Sequence, residues 1–271
     1  MLRCVGSLAR VVVPARSANG TDYVRVPFME RFVTQLLEHT DLSATALAQR
    51  SGVSRSSQFR IDSGSTDPRV GTLRNLAIAA GFDLNISPVA LSDHDAARAA
   101  RVLLDATYPP DSSREVQDWV VRLSRLAGDN PVDIVRTAGQ CSTLLKRAGA
   151  VFLAGNADEM KIVGAGAYSG APWLLSGSGV LMRMGNTGAS INGPRILYSG
   201  DSHRVVRLLD NMEPTRPERA DLIITDYSAG IETDAWADGD VRLVAPIQAL
   251  IDSLGIGGPL AEAAELIARS W

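Results

Sequence analysis

Residues 42–76 read LSATALAQRSGVSRSSQFRIDSGSTDPRVGTLRNL, and this stretch decides how the rest of the chain is read. Leu42, Leu47 and Ala48 fall on one face of a helix opening at Ser43, a spacing that suits a helix laid against a core. Gly52 follows the last helical residue, where a left-handed backbone costs glycine little. Ser54 can then cap a second helix by accepting from its free amides. A three-residue turn, Gly52-Val53-Ser54, is too short for the two helices to run antiparallel, so the second projects outward. Its N-terminal end offers Arg55, Ser56 and Ser57, residue types that reach phosphates and base edges in a major groove.

The charge pattern agrees with a helix-turn-helix DNA reader. Residues 43–75 hold five arginines (50, 55, 60, 69, 74) against Asp62 and Asp67, a net of +3, in a chain whose formal net charge is −3. Polyanion binding needs such a local concentration rather than a basic chain. The pattern L-S-x-x-x-L-A-x-R-x-G-V-S-R-S, followed by R-I-D-x-G, D-P and T-L-R-x-L-A, resembles the lambda-repressor/Cro (XRE) class over roughly residues 30–84. The resemblance implies that Arg55 and Ser56 face base edges, that Arg60 lies along the same exposed side, and that Ser63 and Arg69 approach phosphates. Ala44 stands where that class often has a backbone-clamping glutamine. Gln58 takes a slot usually filled by a buried aliphatic, with Phe59 one position later on a side usually polar. Either the third helix is rotated slightly, or Phe59 is offered to the DNA against a thymine methyl.

At 271 residues the chain has length for two domains. Hydrophobic residues make up 45% and charged residues 21%, which permits a sizeable core. Cys4 and Cys141 belong to different regions and form no disulfide framework, so a reducing cytosol is the simplest setting. His39, His94 and His203 are far apart, giving no metal-ligand spacing, and no apolar run approaches the roughly 18 residues needed to cross a bilayer.

In chain order, residues 1–26 read as a loosely ordered leader or a basic arm carrying Arg3, Arg10, Arg16 and Arg25. The apolar run there is interrupted by arginine and closed by proline, unlike a signal peptide. Residues 27–90 form the helix-turn-helix domain. It opens with a helix over 26–38 that buries Phe32, Val33, Leu36 and Leu37, and Gly81 ends the helix that carries Leu73, Leu76 and Ala77. Residues 91–149 read as a helical connector punctuated by Pro109-Pro110 and by Asp129-Asn130-Pro131, with Trp119, Val120, Leu123 and Leu126 spaced for an amphipathic face. From 150 to 271 the pattern becomes short apolar runs separated by glycine: AVFLAG, KIVGAGAY, PWLLSGSGVLMRM, PRILYSG, ADLIITDY and VRLVAP. These are strand candidates, with helices expected over 205–212, 247–254 and 259–271. The fold class expected is therefore α+β: an all-α reader, a helical connector and a mixed α/β domain.

No coherent catalytic set emerges. Residues 164–170 (GAGAYSG) are one residue too long for a dinucleotide fingerprint and read as a turn. In Ser176-Gly177-Ser178-Gly179, position 176 is serine where the nucleophile elbow needs glycine. A nucleotidyltransferase would need acidic residues soon after Gly177-Ser178, but the next is Asp201, and Asp238-Gly239-Asp240 reads as a polar turn. Self-cleavage by a Ser-Lys dyad fails on inventory, since no lysine follows Lys161 and arginine stays protonated. Catalytic residues, metal and cofactor are thus all expected to be none.

The C-terminal half carries a second resemblance. WLLSGSGVL, PRILYSGD, ADLIITDY and VRLVAPIQALIDSLGIGGPLAEAAELI are similar to the C-terminal domain of AbiEi-family type IV antitoxins, on the segment Val244, Ala245, Pro246, Gln248, Asp252 and Leu254. What this implies is a cytoplasmic DNA-binding regulator of its own operon, whose partners are double-stranded DNA and a nucleotidyltransferase-type toxin. Read from the residues alone, Pro246 starts a helix packed by Ile247, Leu250, Ile251 and Leu254, and Asp252 is solvated. An alternative makes this domain a small-molecule sensor, with the glycine-rich run 164–179 lining the pocket. Dimeric operator binding is common among such readers, which makes a homodimer a further expectation.

Overall fold

The structure, a computed structural model, describes residues 9–11, 31–156, 158–185, 191–228 and 230–270. Most of the 1–26 leader, with Arg3, Arg16 and Arg25, lies outside the described residues, as do residues 26–30 of the expected first helix. Contacts divide the chain into two compact units that meet in sequence between Ala90 and Leu91.

In the first unit β1 (Ala9–Val11) precedes four helices: α1 (Phe32–Glu38), α2 (Ala44–Ser51), α3 (Arg55–Asp62) and α4 (Val70–Ala79). β2 (Ile86–Pro88) then pairs antiparallel with β1, Val11 opposite Ile86. The helix ends follow local chemistry. Ser43 accepts from the Ala46 amide, and Gly52 takes φ +70° while its N–H closes on the Ala48 carbonyl. Ser54 accepts from the Ser57 amide. Asp62, at the end of α3, accepts from the amides of Val33 (2.7 Å) and Thr34 (3.2 Å), so its carboxylate caps the first turn of α1. Phe32, Val33, Leu36, Leu47, Ile61, Leu73, Leu76 and Ala77 close a separate small core. Leu37 packs only partly buried against it.

The second unit opens with α5 (His94–Leu104), α6 (Arg114–Ala127) and α7 (Pro131–Cys141). Asn130 caps α7 by accepting from the Asp133 amide, with Pro131 at the first helical position. β3 (Val151–Gly155), α8 (Glu159–Tyr168), β4 (Trp173–Gly177), α9 (Ser178–Met184), β5 (Arg195–Ser199), α10 (Ser202–Leu208), β6 (Met212–Pro214), β7 (Leu222–Asp226), β8 (Trp236–Asp238) and β9 (Val241–Leu243) follow, closed by α11 (Pro246–Ile256) and α12 (Gly258–Ala268). The seven strands lie in the order β6-β3-β7-β5-β4-β9-β8 in one mixed sheet. β5 runs parallel to β7, and β4 antiparallel to β5. The chain is therefore α+β. Among the described residues, no helix is long and apolar enough to cross a membrane.

α11 is the hub of this unit. Eight consecutive residues, Ile247 to Leu254, are buried, and the helix packs against α7, α12, β4, α9 and α5. At the crossing with α7 only glycine fits, because a Cβ on Gly139 would stand 2.5 Å from the Ile251 carbonyl oxygen. The hydrophobic core thus runs from α5–α7 into the sheet without a break at residue 149 or 150.

Four sequence expectations are corrected here. The run KIVGAGAY is neither strand nor turn but most of α8, with Asp158 capping it by accepting from the amides of Met160 and Lys161. One of its two glycines has a packing cause: a Cβ on Gly166 would meet the Trp173 ring at 2.8 Å. PWLLSGSGVLMRM is a strand only to Gly177, whose φ of +81° turns the chain into α9. The expected helix over 205–212 begins earlier and ends at Leu208, leaving Met212 to open β6. Asp252 is buried rather than solvated.

Candidate nucleic-acid interface

The exposed side of α3 is built by the residues that anchor its other side. Ile61 sits in the small core and Asp62 is bound to the amides of α1, which fixes the rotation of the helix about its own axis. Gln58 is then carried inward, 3% exposed, and Phe59 outward, 73% exposed. These anchors set the helix as it stands, with Gln58 inward and Phe59 outward. Arg55, Phe59, Ser63, Ser56 and Arg60 fall, in that angular order, within roughly 140° of the circumference at 3.6 residues per turn. All five are exposed, whereas Ser57 is half-buried and falls outside this arc.

Hydrogen bonds within the surface hold its polar groups in place. The Ser54 hydroxyl lies 3.0 Å from those of Ser56 and Ser57, and Arg60 Nη2 donates to Ser57 Oγ at 3.4 Å. Past the helix, Ser63 Oγ donates to the Arg60 carbonyl at 3.3 Å and lies 2.9 Å from Ser65 Oγ. Arg69 is exposed at the N-cap of α4.

The electrostatics depend on what these arginines lack. Among the described residues, no carboxylate lies within ion-pair distance of Arg50, Arg55, Arg60 or Arg69, whereas Arg74 pairs with Asp83 at 3.6 Å. Asp62, one of the two acidic residues counted against the local positive charge, is turned toward backbone amides. The arrangement leaves unneutralised guanidinium groups beside hydroxyl donors, which can bind phosphate oxygens and guanine edges. Arg50, exposed near the end of α2, joins this set although the sequence motif did not single it out; its lack of an acidic partner was the available signal.

Gln248 and Asp252, from the antitoxin-like segment, face inward. Asp252 accepts from Ser176 Oγ (2.6 Å), Tyr198 Oη (2.9 Å) and Gln248 Nε2 (2.8 Å). Burial pushes its carboxyl above the ordinary range, opposed by those three hydrogen bonds and by the charge of Arg147. Burial and the adjacent Asp252 charge likewise push the Tyr198 phenol well up. Ser176 thus has a structural partner. Asp93, His94 and Asp95 bring one potential ligand atom each within 4.8 Å of one another. However, Asp93 accepts from Trp119 Nε1 and caps α5, and Asp95 pairs with Arg98 at 2.8 Å, so these carboxylates are already committed to the fold. Comparison of the chain with protein-family models, with characterised proteins and with solved structures found no match.

Proposed function

We propose that this chain is a sequence-specific DNA-binding regulator of transcription, a repressor, in which residues 42–76 act as a helix-turn-helix reader of the XRE type. The carrying observation is the exposed arc of α3, where Arg55 and Arg60 stand without a carboxylate partner among the described residues on a helix whose rotation is fixed by Ile61 and Asp62. In this reading Arg55, Ser56 and Ser57 meet base edges, Arg60 runs along the same groove, and Ser63 and Arg69 hold phosphates. The second unit takes the antitoxin-like part: it binds a partner protein of the nucleotidyltransferase-toxin class, or a second copy of the chain, in the cytoplasm and without chemistry of its own.

A second reading keeps the DNA reader and makes the second unit a metabolite sensor. Its support is a half-open cleft of about 300 Å³ lined by Asn192, Gly193, Glu218, Gly257 and Leu260 among others, a volume at the lower end for small-molecule sites. The expected pocket along 164–179 is not where this cavity lies.

Binding of the full chain to its own upstream region and to random duplex tests the main reading. Arg55→Ala is expected to relax sequence preference, while Arg69→Ala weakens binding to all sequences and lowers the salt slope by about one. Equal affinity of the unaltered chain for both duplexes would overturn it. A melting shift with a metabolite would favour the sensor, and co-purification with the product of the neighbouring gene would favour the antitoxin.

A further inference from the structure

α3 buries an amide and exposes a ring, the reverse of what partition from water favours. Gln58 Nε2 donates to the Val53 carbonyl at 3.1 Å, but its Oε1 is buried with no hydrogen-bond partner. Turning the helix by one residue would bring Phe59 in and Gln58 out, yet it would also pull Ile61 from the core and Asp62 from the α1 amides. The anchors therefore hold the ring in solvent at a standing cost. A single exposed hydrophobic residue is ordinary on a protein surface. What distinguishes Phe59 is its setting, between Arg55 on one side and Ser63, Ser56 and Arg60 on the other, within an arc that contains no acidic side chain.

An occupant of this surface must be polyanionic at the rim and apolar at the point facing the ring. Duplex DNA meets both conditions where a thymine C5 methyl stands in the major groove between two phosphate backbones. Resting on the DNA-reading assignment above, we propose that Phe59 is a specificity-determining contact: its ring packs on the methyl of a thymine, and the chain selects a thymine at that position.

The test begins by enriching duplexes from a random library with the full chain. Each thymine of the enriched site is then replaced in turn by deoxyuridine, which removes the methyl and nothing else. At one position the substitution is expected to lower affinity about fourfold, the factor for one CH₂-sized group no longer taken out of water. Phe59→Ala is expected to bind thymine and uracil duplexes equally, and Phe59→Leu to keep part of the discrimination. Because the ring is exposed, the melting temperature of each variant should match that of the parent. The inference is overturned if no thymine responds, or if Phe59→Ala keeps the full discrimination. It is also overturned if that variant binds DNA unchanged while its oligomeric state shifts, which would assign the ring to a protein contact. Failure of the underlying reading looks different: no sequence is enriched at all, and the methyl contact falls with it.

Discussion

The surface of the first unit around α3 and the interior of the second unit use arginine in opposite ways. In the first, Arg50, Arg55, Arg60 and Arg69 are exposed and have no carboxylate within ion-pair distance among the described residues. In the second, Arg101 is 1% exposed. It donates to the carbonyls of Gly230 (3.0 Å) and Thr233 (2.7 Å), approaches Asp105 at 3.3 Å, and stacks over the Tyr108 ring at 4.3 Å. Arg98 joins Asp95 and Asp111, and Arg183 joins Glu159, Asp238 and the Gly179 carbonyl. The hydrogen bonds that Arg183 donates to Glu159 outweigh desolvation and hold its guanidinium even more firmly protonated than usual. One residue type thus serves as internal scaffolding where loops need a many-armed donor, and as an open charge where a ligand is to supply the acceptors. A near-total preference for arginine over lysine, 25 of 27 basic residues with only Lys146 and Lys161 as lysine, says nothing about which use a given position has.

The comparison breaks most sharply at Arg101. Arg101→Ala removes a buried donor to two part-buried carbonyls and leaves Asp105 without its nearest cation. Breaking a buried pair from one side costs about 3–5 kcal/mol, so urea unfolding of the variant should show a loss of that size. If Arg101→Ala costs no more than the loss of an exposed arginine, the distinction between the two populations is one of appearance only.

A smaller effect sharpens the same contrast through pH. Asp252 belongs to the buried polar set, and its carboxyl is raised above the ordinary 3.8 by burial, against the hydrogen bonds from Ser176, Gln248 and Tyr198. The folded chain therefore holds this proton more tightly than the unfolded chain. The associated stability is fully present below the unfolded value near 3.8 and is lost as pH rises through the folded one. Asp252→Asn keeps an acceptor for Tyr198 and Gln248 and cannot ionise. The unfolding free energy of the parent, minus that of the variant, should accordingly fall as pH increases above 3.8, at no more than about 1.4 kcal/mol per pH unit. A flat difference from pH 4 to pH 7 would show that Asp252 is charged at no net cost.

What could be read in the sequence tracks the distance over which each cause acts. Ser43, Ser54 and Asn130 cap amides three residues away, and Gly52 needs only its own φ, so these helix ends were legible. α8 was not, because Gly166 is explained by Trp173 across a turn rather than by its neighbours in a helix. Asp252 was misplaced for the same reason, its partners Ser176 and Tyr198 lying 76 and 54 residues away in sequence. At the candidate interface the residue types are legible in 42–76, but the outward placement of Phe59 depends on the contact of Asp62 with Val33, 29 residues apart.

The smallest expected effect is the most direct check on the open arginines. Arg55→Ala and Arg69→Ala remove exposed charges that satisfy no partner within the described residues, so each should change unfolding free energy by less than about 0.5 kcal/mol, the range of ordinary surface substitutions. Removing a repelling neighbour from a cluster with a local surplus of positive charge could even raise stability slightly at low salt, an effect that should vanish as the Debye length shrinks. The same variants are the ones expected to alter DNA binding, so the two measurements together separate recognition from folding. A loss of stability approaching that of Arg101→Ala would mean that these side chains are held by acceptors of the chain itself. The α3 surface would then be scaffolding of the same kind as the interior of the second unit.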